Sequence, residues 1–173
     1  MIATSFGLLL ARLIVGLAIA SHGSQKLFGA FGGPGFAGAS GFMESLGYRP
    51  GKLFALMACL GEIGGGLLTV FGIGGPLGPA LIIVVMIVAA FSVHVKNGFF
   101  TSGGGYELNT IYIAAALALA FGGFGGLSLD RALGLERFYT PSVTWIVIAV
   151  AVIIAVLNLA AKRPVVAVEH QSE

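Results

Sequence analysis

From about Phe6 to Phe28 the chain runs apolar for long enough to enter a membrane, yet that run carries Arg12, His22 and Lys26. At about 100° per residue, Lys26 falls within about 40° of Arg12 around the helix axis and His22 within about 80°, so the three share one broad face. Hydrocarbon satisfies neither a charge nor a hydrogen bond, so such a face must meet protein or water. The segment therefore predicts a helix packed against others. Ala18-Ile19-Ala20 imitates a signal-peptidase site. No basic stretch precedes Phe6, however, and Arg12 interrupts the apolar run, so the helix is expected to stay in the mature protein.

The rest of the chain agrees with a membrane setting. Of its 173 residues 57% are hydrophobic and only 9% charged, a balance that a soluble domain of this size does not carry. The fold class expected is all-α, a four-helix transmembrane bundle plus a fifth, C-terminal transmembrane helix. After the first span, the glycine- and proline-rich loop from Gly29 interrupts the helix. It is expected to lie on the membrane surface through Phe31, Phe36, Phe42, Met43 and Tyr48, with a short interfacial or re-entrant helix near Ala37 to Leu46. Further spans follow at Leu53 to Phe71, Leu77 to Val95, Tyr106 to Phe121 and Val143 to Leu159. Gly98 is the expected stop after the third, and a short amphipathic helix is expected from Ser128 to Phe138. Residues 1–135 thus form the bundle, 136–161 add one helix, and 162–173 make a polar, solvated tail.

Five spans place the termini on opposite sides. Lys26, Arg49, Lys52, Lys96, Lys162 and Arg163 fall on one side, Arg131 and Arg137 on the other. The positive-inside rule then favours a cytoplasmic C-terminus in a multi-pass cell (inner) membrane protein. The formal net charge of +2 and the scattered Lys and Arg argue against nucleic-acid binding.

The polar residues sort by membrane face. His22 and Lys26 end the first span, His94, Lys96 and Asn97 end the third, and Glu107 begins the fourth, all on one side. Glu62 lies about 15 Å deeper than Lys52 and Arg12 about 21 Å deeper than Lys26 by helical rise. The expected site is a pocket between the first four spans, with Glu62, His94 and Glu107 as proton-handling groups and Arg12, His22, Lys26 and Asn97 as ligand contacts. Arg12 is expected either to help floor that pocket beside Glu62 or to snorkel to the nearer interface.

Two histidines at one level also suit a metal or haem iron, but the spacings CxxCH, HExxH and paired i, i+4 histidines are absent. Hydrogen bonding or proton exchange with a small polar or quinone-like ligand fits them better, and a plain interfacial role fits them equally well. Cys59, the single cysteine, reads as a small buried residue, and His170 belongs to the tail. The glycine runs at Gly103 to Gly105 and Gly122-Gly123 follow no strand and carry no Walker lysine, so they read as turns.

ARLIVGLAIASHGSQKLFG with its FGGPG continuation, GEIGGGLLTVFG, HVKNGFF followed by GGGYELNTIY, and SLDRALGL occur in that order. Together they resemble the DoxX family of small bacterial and archaeal membrane proteins over about Met1 to Leu135. The resemblance implies a four-helix membrane bundle, and a role beside quinone-linked oxidoreductases and in redox-stress complexes. It directs attention to Arg12, His22, Lys26, Glu62, His94, Asn97 and Glu107, which occupy the family's motif positions.

Two functional expectations follow. In the first, the chain is a membrane subunit of a redox system, binding a quinone or similar aromatic molecule and working with a partner oxidoreductase subunit or as a homo-oligomer. In the second it is a non-catalytic anchor or assembly subunit whose polar residues hold helices in register. A small permease or channel is a third reading, disfavoured by the absence of an inverted repeat.

Overall fold

The computed structural model describes residues 2–164 and contains seven α-helices among them. They are α1 (Ile2–Phe28), α2 (Gly35–Ser45), α3 (Gly51–Phe71), α4 (Leu77–Ala89), α5 (Glu107–Gly122), α6 (Leu129–Ala132) and α7 (Pro141–Ala160). The tail beyond Pro164, with His170, lies outside the described residues.

α1, α3, α4 and α5 form a ring in which each packs on the next and α5 closes back on α1, while α7 lies outside against α4. The chain is thus a four-helix membrane bundle with a fifth, peripheral helix. α1, α3, α7 and α4 with its continuation to Asn97 are long and apolar enough to cross a membrane. α5, at 16 residues, covers about 24 Å at the α-helical rise, short of a hydrocarbon core of about 30 Å. The end of the bundle that holds the C-termini of α1, α4 and α7 is called the upper end below.

The α1–α3 seam decides how closely the ring closes. Arg12, Gly16, Ile19 and Gly23 are the buried residues of α1, a heptad-like stripe. Facing it on α3 are Cys59, Glu62 and Gly66, while Gly65 and Thr69 turn toward α4. A Cβ on Gly16 would lie 2.6 Å from the carbonyl oxygen of Gly66, and one on Gly66 would lie 2.5 Å from that of Gly16. Small residues here let two backbones touch, which is how helices gain packing where lipid supplies no hydrophobic drive. Above and beside the seam, Ile19, Ile82, Ile83, Met86, Ala116 and Ile148 join α1, α4, α5 and α7 in one core.

Helix ends follow the local chemistry. α3 stops at Gly72, left-handed at φ 62°, with N–H bonds from Gly72 to Thr69 and from Ile73 to Leu68, the paired bonds of a Schellman cap. α7 begins with Thr140 capping the N–H of Val143 and Pro141 in its first turn. The short helix expected in the first loop appears as α2. Tyr48 departs from expectation: it is fully buried, its hydroxyl 2.6 Å from that of Ser92.

Two further elements differ from the sequence reading. α4 passes at its end into a π turn, Ala90–His94, and then a 3-10 turn to Asn97, before Gly98 at φ 81° halts it. The amphipathic helix expected over Ser128 to Phe138 shrinks to the four residues of α6, because Gly134 takes a left-handed φ of 66° and ends it.

Candidate functional site

In an α-helix each side chain leans toward the N-terminus. α1 and α3 are antiparallel, so Lys26 leans down into the bundle and Glu62 leans up, and the two form an ion pair. The Glu62 side chain is 4% exposed and that of Lys26 34%, so this charge pair is shut in on one side and reachable on the other. Glu62 Oε2 is buried with no hydrogen-bond partner among the described residues. Cys59, one turn above Glu62 on α3, is fully buried, and Gly23 lets α1 come close to both.

The same lean carries Arg12 away from Glu62, toward the lower end. Its guanidinium donates to the carbonyl of Leu127 at 2.7 Å and lies 5.7 Å from the ring centre of Phe124. It also crowds the Gly72 cap, where a Cβ would overlap Nη1. The expected partnership of Arg12 with Glu62 is therefore not formed, and neither is snorkelling to the interface, since Arg12 is only 1% exposed. Arg12 Nε and Nη1 have no hydrogen-bond partner among the described residues.

Beside Arg12 stands Asp130, a residue that the sequence reading passed over. It is 2% exposed, and its carboxylate accepts the N–H groups of Gly74 at 3.0 Å and Gly75 at 2.8 Å. Its own N–H donates to the carbonyl of Gly72. The signal available was Ser128, two residues before it, which caps Arg131 N–H in SLDRALGL and so fixes the turn. Tyr139 packs its ring on Gly75, and burial together with the Asp130 charge pushes its phenol above the usual range.

At the upper end a third assembly gathers the remaining candidates. His94 Nδ1 and Asn97 Nδ2 both reach the carbonyl of Gly104, at 2.8 and 3.3 Å, while Glu107 accepts the N–H of Thr101 at 2.9 Å. These bonds fold the 98–106 loop onto the ends of α4 and α5. His22 is exposed on α1 and shares no hydrogen bond with Lys26 or Glu62. The seven candidates thus divide into a charge pair, a buried arginine, a loop knot and an exposed histidine. Among the described residues no three His, Cys, Asp or Glu side chains stand together as a metal site would need.

A groove of about 910 Å³ opens at the lower end between Ser5, Phe124, Asp130 and Tyr139, and the Lys26–Glu62 pair does not line it.

The sequence pattern of the DoxX family matches residues 7–95, just over half of the 173 residues. The chain belongs to the DoxX family. The matched stretch runs from α1 into the end of the α4 extension and so includes Arg12, His22, Lys26, Glu62 and His94, while Asn97, Glu107 and SLDRALGL lie beyond it. No curated protein and no solved structure was found to match the chain. In this DoxX protein, helices suited to a membrane carry an ion pair at one level and a buried arginine at another.

Proposed function

We propose that this DoxX protein is a membrane subunit of a redox system, binding a quinone or similar small aromatic molecule at the Lys26–Glu62 pair and working with a partner oxidoreductase. One observation carries the reading: a buried carboxylate with an unused oxygen stands next to an ammonium group that is a third exposed. An ammonium donates to a carbonyl oxygen, and the neighbouring carboxylate accepts or returns a proton, the two needs of a molecule that alternates between carbonyl and hydroxyl forms. Such a molecule, when bound, supplies the electron-accepting chemistry; the chain supplies the donor, the proton acceptor and the low-dielectric wall.

Titration of the purified protein with a short-chain quinone tests this. Saturable binding lost in Lys26→Met and Glu62→Gln, and retained in His22→Ala, is the expected result. Absence of saturable binding to the unaltered protein removes the reading.

A second reading, a non-catalytic anchor, draws on a specific observation of its own. Arg12, His94, Asn97 and Glu107 all bond to backbone groups of their own bundle. On that reading Glu62→Gln lowers stability and the yield of a partner complex together, with no separate ligand to lose.

A further inference from the structure

The upper end holds a feature that neither the helix packing nor the Lys26–Glu62 pair employs. Between the last turn of α2, the widened end of α4 and the chain leaving α7 lies a cleft of about 620 Å³. Lys96, Lys162 and Arg163 line it together with Leu46, Phe91 and Val95. No carboxylate lines it, and none of the three cations forms an ion pair with a described residue.

Two details build its walls. The π turn broadens the end of α4, where Phe91, Ser92, Val95 and Lys96 all border the cleft, and the Ser92–Tyr48 hydroxyl contact fixes that turn from behind. On the opposite side the N–H of Arg163 donates to the carbonyl of Gly47 at 2.9 Å, tying the chain after α7 to the loop between α2 and α3. Cations from two separate parts of the chain are thereby held around one opening. A helix C-terminus carries about half a negative charge, so three full positive charges more than offset the ends of α2, α4 and α7 that meet here.

The other wall is apolar and faces outward: Phe91 is 64% exposed and Val95 43%, both at the end of a helix suited to crossing the membrane. A cluster of Lys and Arg next to membrane-level apolar surface is what an acidic headgroup with attached acyl chains requires. We propose that this cleft binds an acidic phospholipid of the surrounding membrane, its phosphate among Lys96, Lys162 and Arg163 and its chains along Phe91 and Val95. A free phosphate has no use for the apolar wall.

Native mass spectrometry of the full chain in detergent tests this, with dioleoyl phosphatidylglycerol and dioleoyl phosphatidylcholine as probes and inorganic phosphate as competitor. The expected result is tighter binding of the glycerol lipid, little displaced by phosphate. That preference falls roughly fivefold in Lys96→Gln and on the order of 100-fold when Lys162→Gln and Arg163→Gln are added. Arg49→Gln with Lys52→Gln, changes at the same end but outside the cleft, keeps it. Lys96→Gln alone alters one exposed side chain and reads the site even if the triple variant misfolds. Equal binding of the two lipids, or a preference that the triple variant retains, overturns the proposal. So does displacement by phosphate alone, or a preference that appears only in Glu169→Gln with Glu173→Gln, which makes the chain's own tail the occupant.

Discussion

Gly16 and Gly66 face each other with no room for a side chain on either, each one's missing Cβ falling within 2.6 Å of the other's carbonyl oxygen. The reciprocity means that one substitution drives the two backbones apart over the whole α1–α3 seam. Gly16→Ala is expected to destabilise the protein by about 1–3 kcal/mol through overpacking. Gly7, on the same helix with nothing within 4 Å of its missing Cβ, supplies the contrast: Gly7→Ala should be neutral or stabilise by up to about 1 kcal/mol. Thermal melting of both variants in one detergent checks the pair.

The Lys26–Glu62 pair should respond unequally to loss of either partner. Lys26→Met strands a carboxylate that is almost wholly buried, whereas Glu62→Gln leaves an ammonium that water already reaches and an amide oxygen to receive it. Discounted for the exposure of Lys26, costs of about 2–3 kcal/mol and about 1 kcal/mol are expected. The double variant should recover part of the larger loss. Unfolding titrations of all three variants read this order, and equal costs for the two single changes would count against the asymmetry.

Asp130→Asn should loosen the α3–α4 turn. An amide retains one acceptor where the carboxylate offered two, so either Gly74 or Gly75 loses its partner, at a cost of about 1–3 kcal/mol. Hydrogen exchange at those two amides should quicken while the α1–α3 seam stays protected.

Tyr139 gives the same turn a pH dependence. Its phenol is raised by burial first and by the Asp130 charge second, so the folded form holds its proton after the unfolded form has lost it. The associated stability is present in full below the unfolded value near 10 and is lost as pH rises through the folded one. Ultraviolet titration of phenolate should show Tyr139→Phe removing a late-titrating component, and Asp130→Asn shifting that component to lower pH.

The spans were legible because apolar runs of membrane length are separated by glycine and proline. The polar face of α1 was legible because Arg12, Gly16, Ile19, Gly23 and Lys26 keep helical spacing. The partner of Glu62 was harder to read. Depth along the axis puts Arg12 and Glu62 about 6 Å apart in level, but side chains lean toward helix N-termini, which joins Lys26 to Glu62 and sends Arg12 the other way. Backbone acceptors leave no mark in a sequence, so the convergence of His94 and Asn97 on Gly104 was invisible. Tyr48 looked like a surface aromatic because its partner Ser92 sits in a π turn, and no glycine or proline within Ala90–His94 announces one. Asp130 was quoted within a family motif without its role, which depends on two glycine amides more than fifty residues earlier.

The two cations of α1 find their partners only in later parts of the chain: Lys26 in Glu62, and Arg12 in the 127–130 turn. During synthesis α1 is made before both of these partners, and until they follow it the two charges lack them. Its stable seat in the bilayer is therefore reached in two instalments, one when α3 arrives beside it and another when the chain has grown past α5. A ribosome-bound chain stopped before Glu62 should hold α1 less firmly in the membrane than one stopped after it, and the last tightening should wait for Asp130.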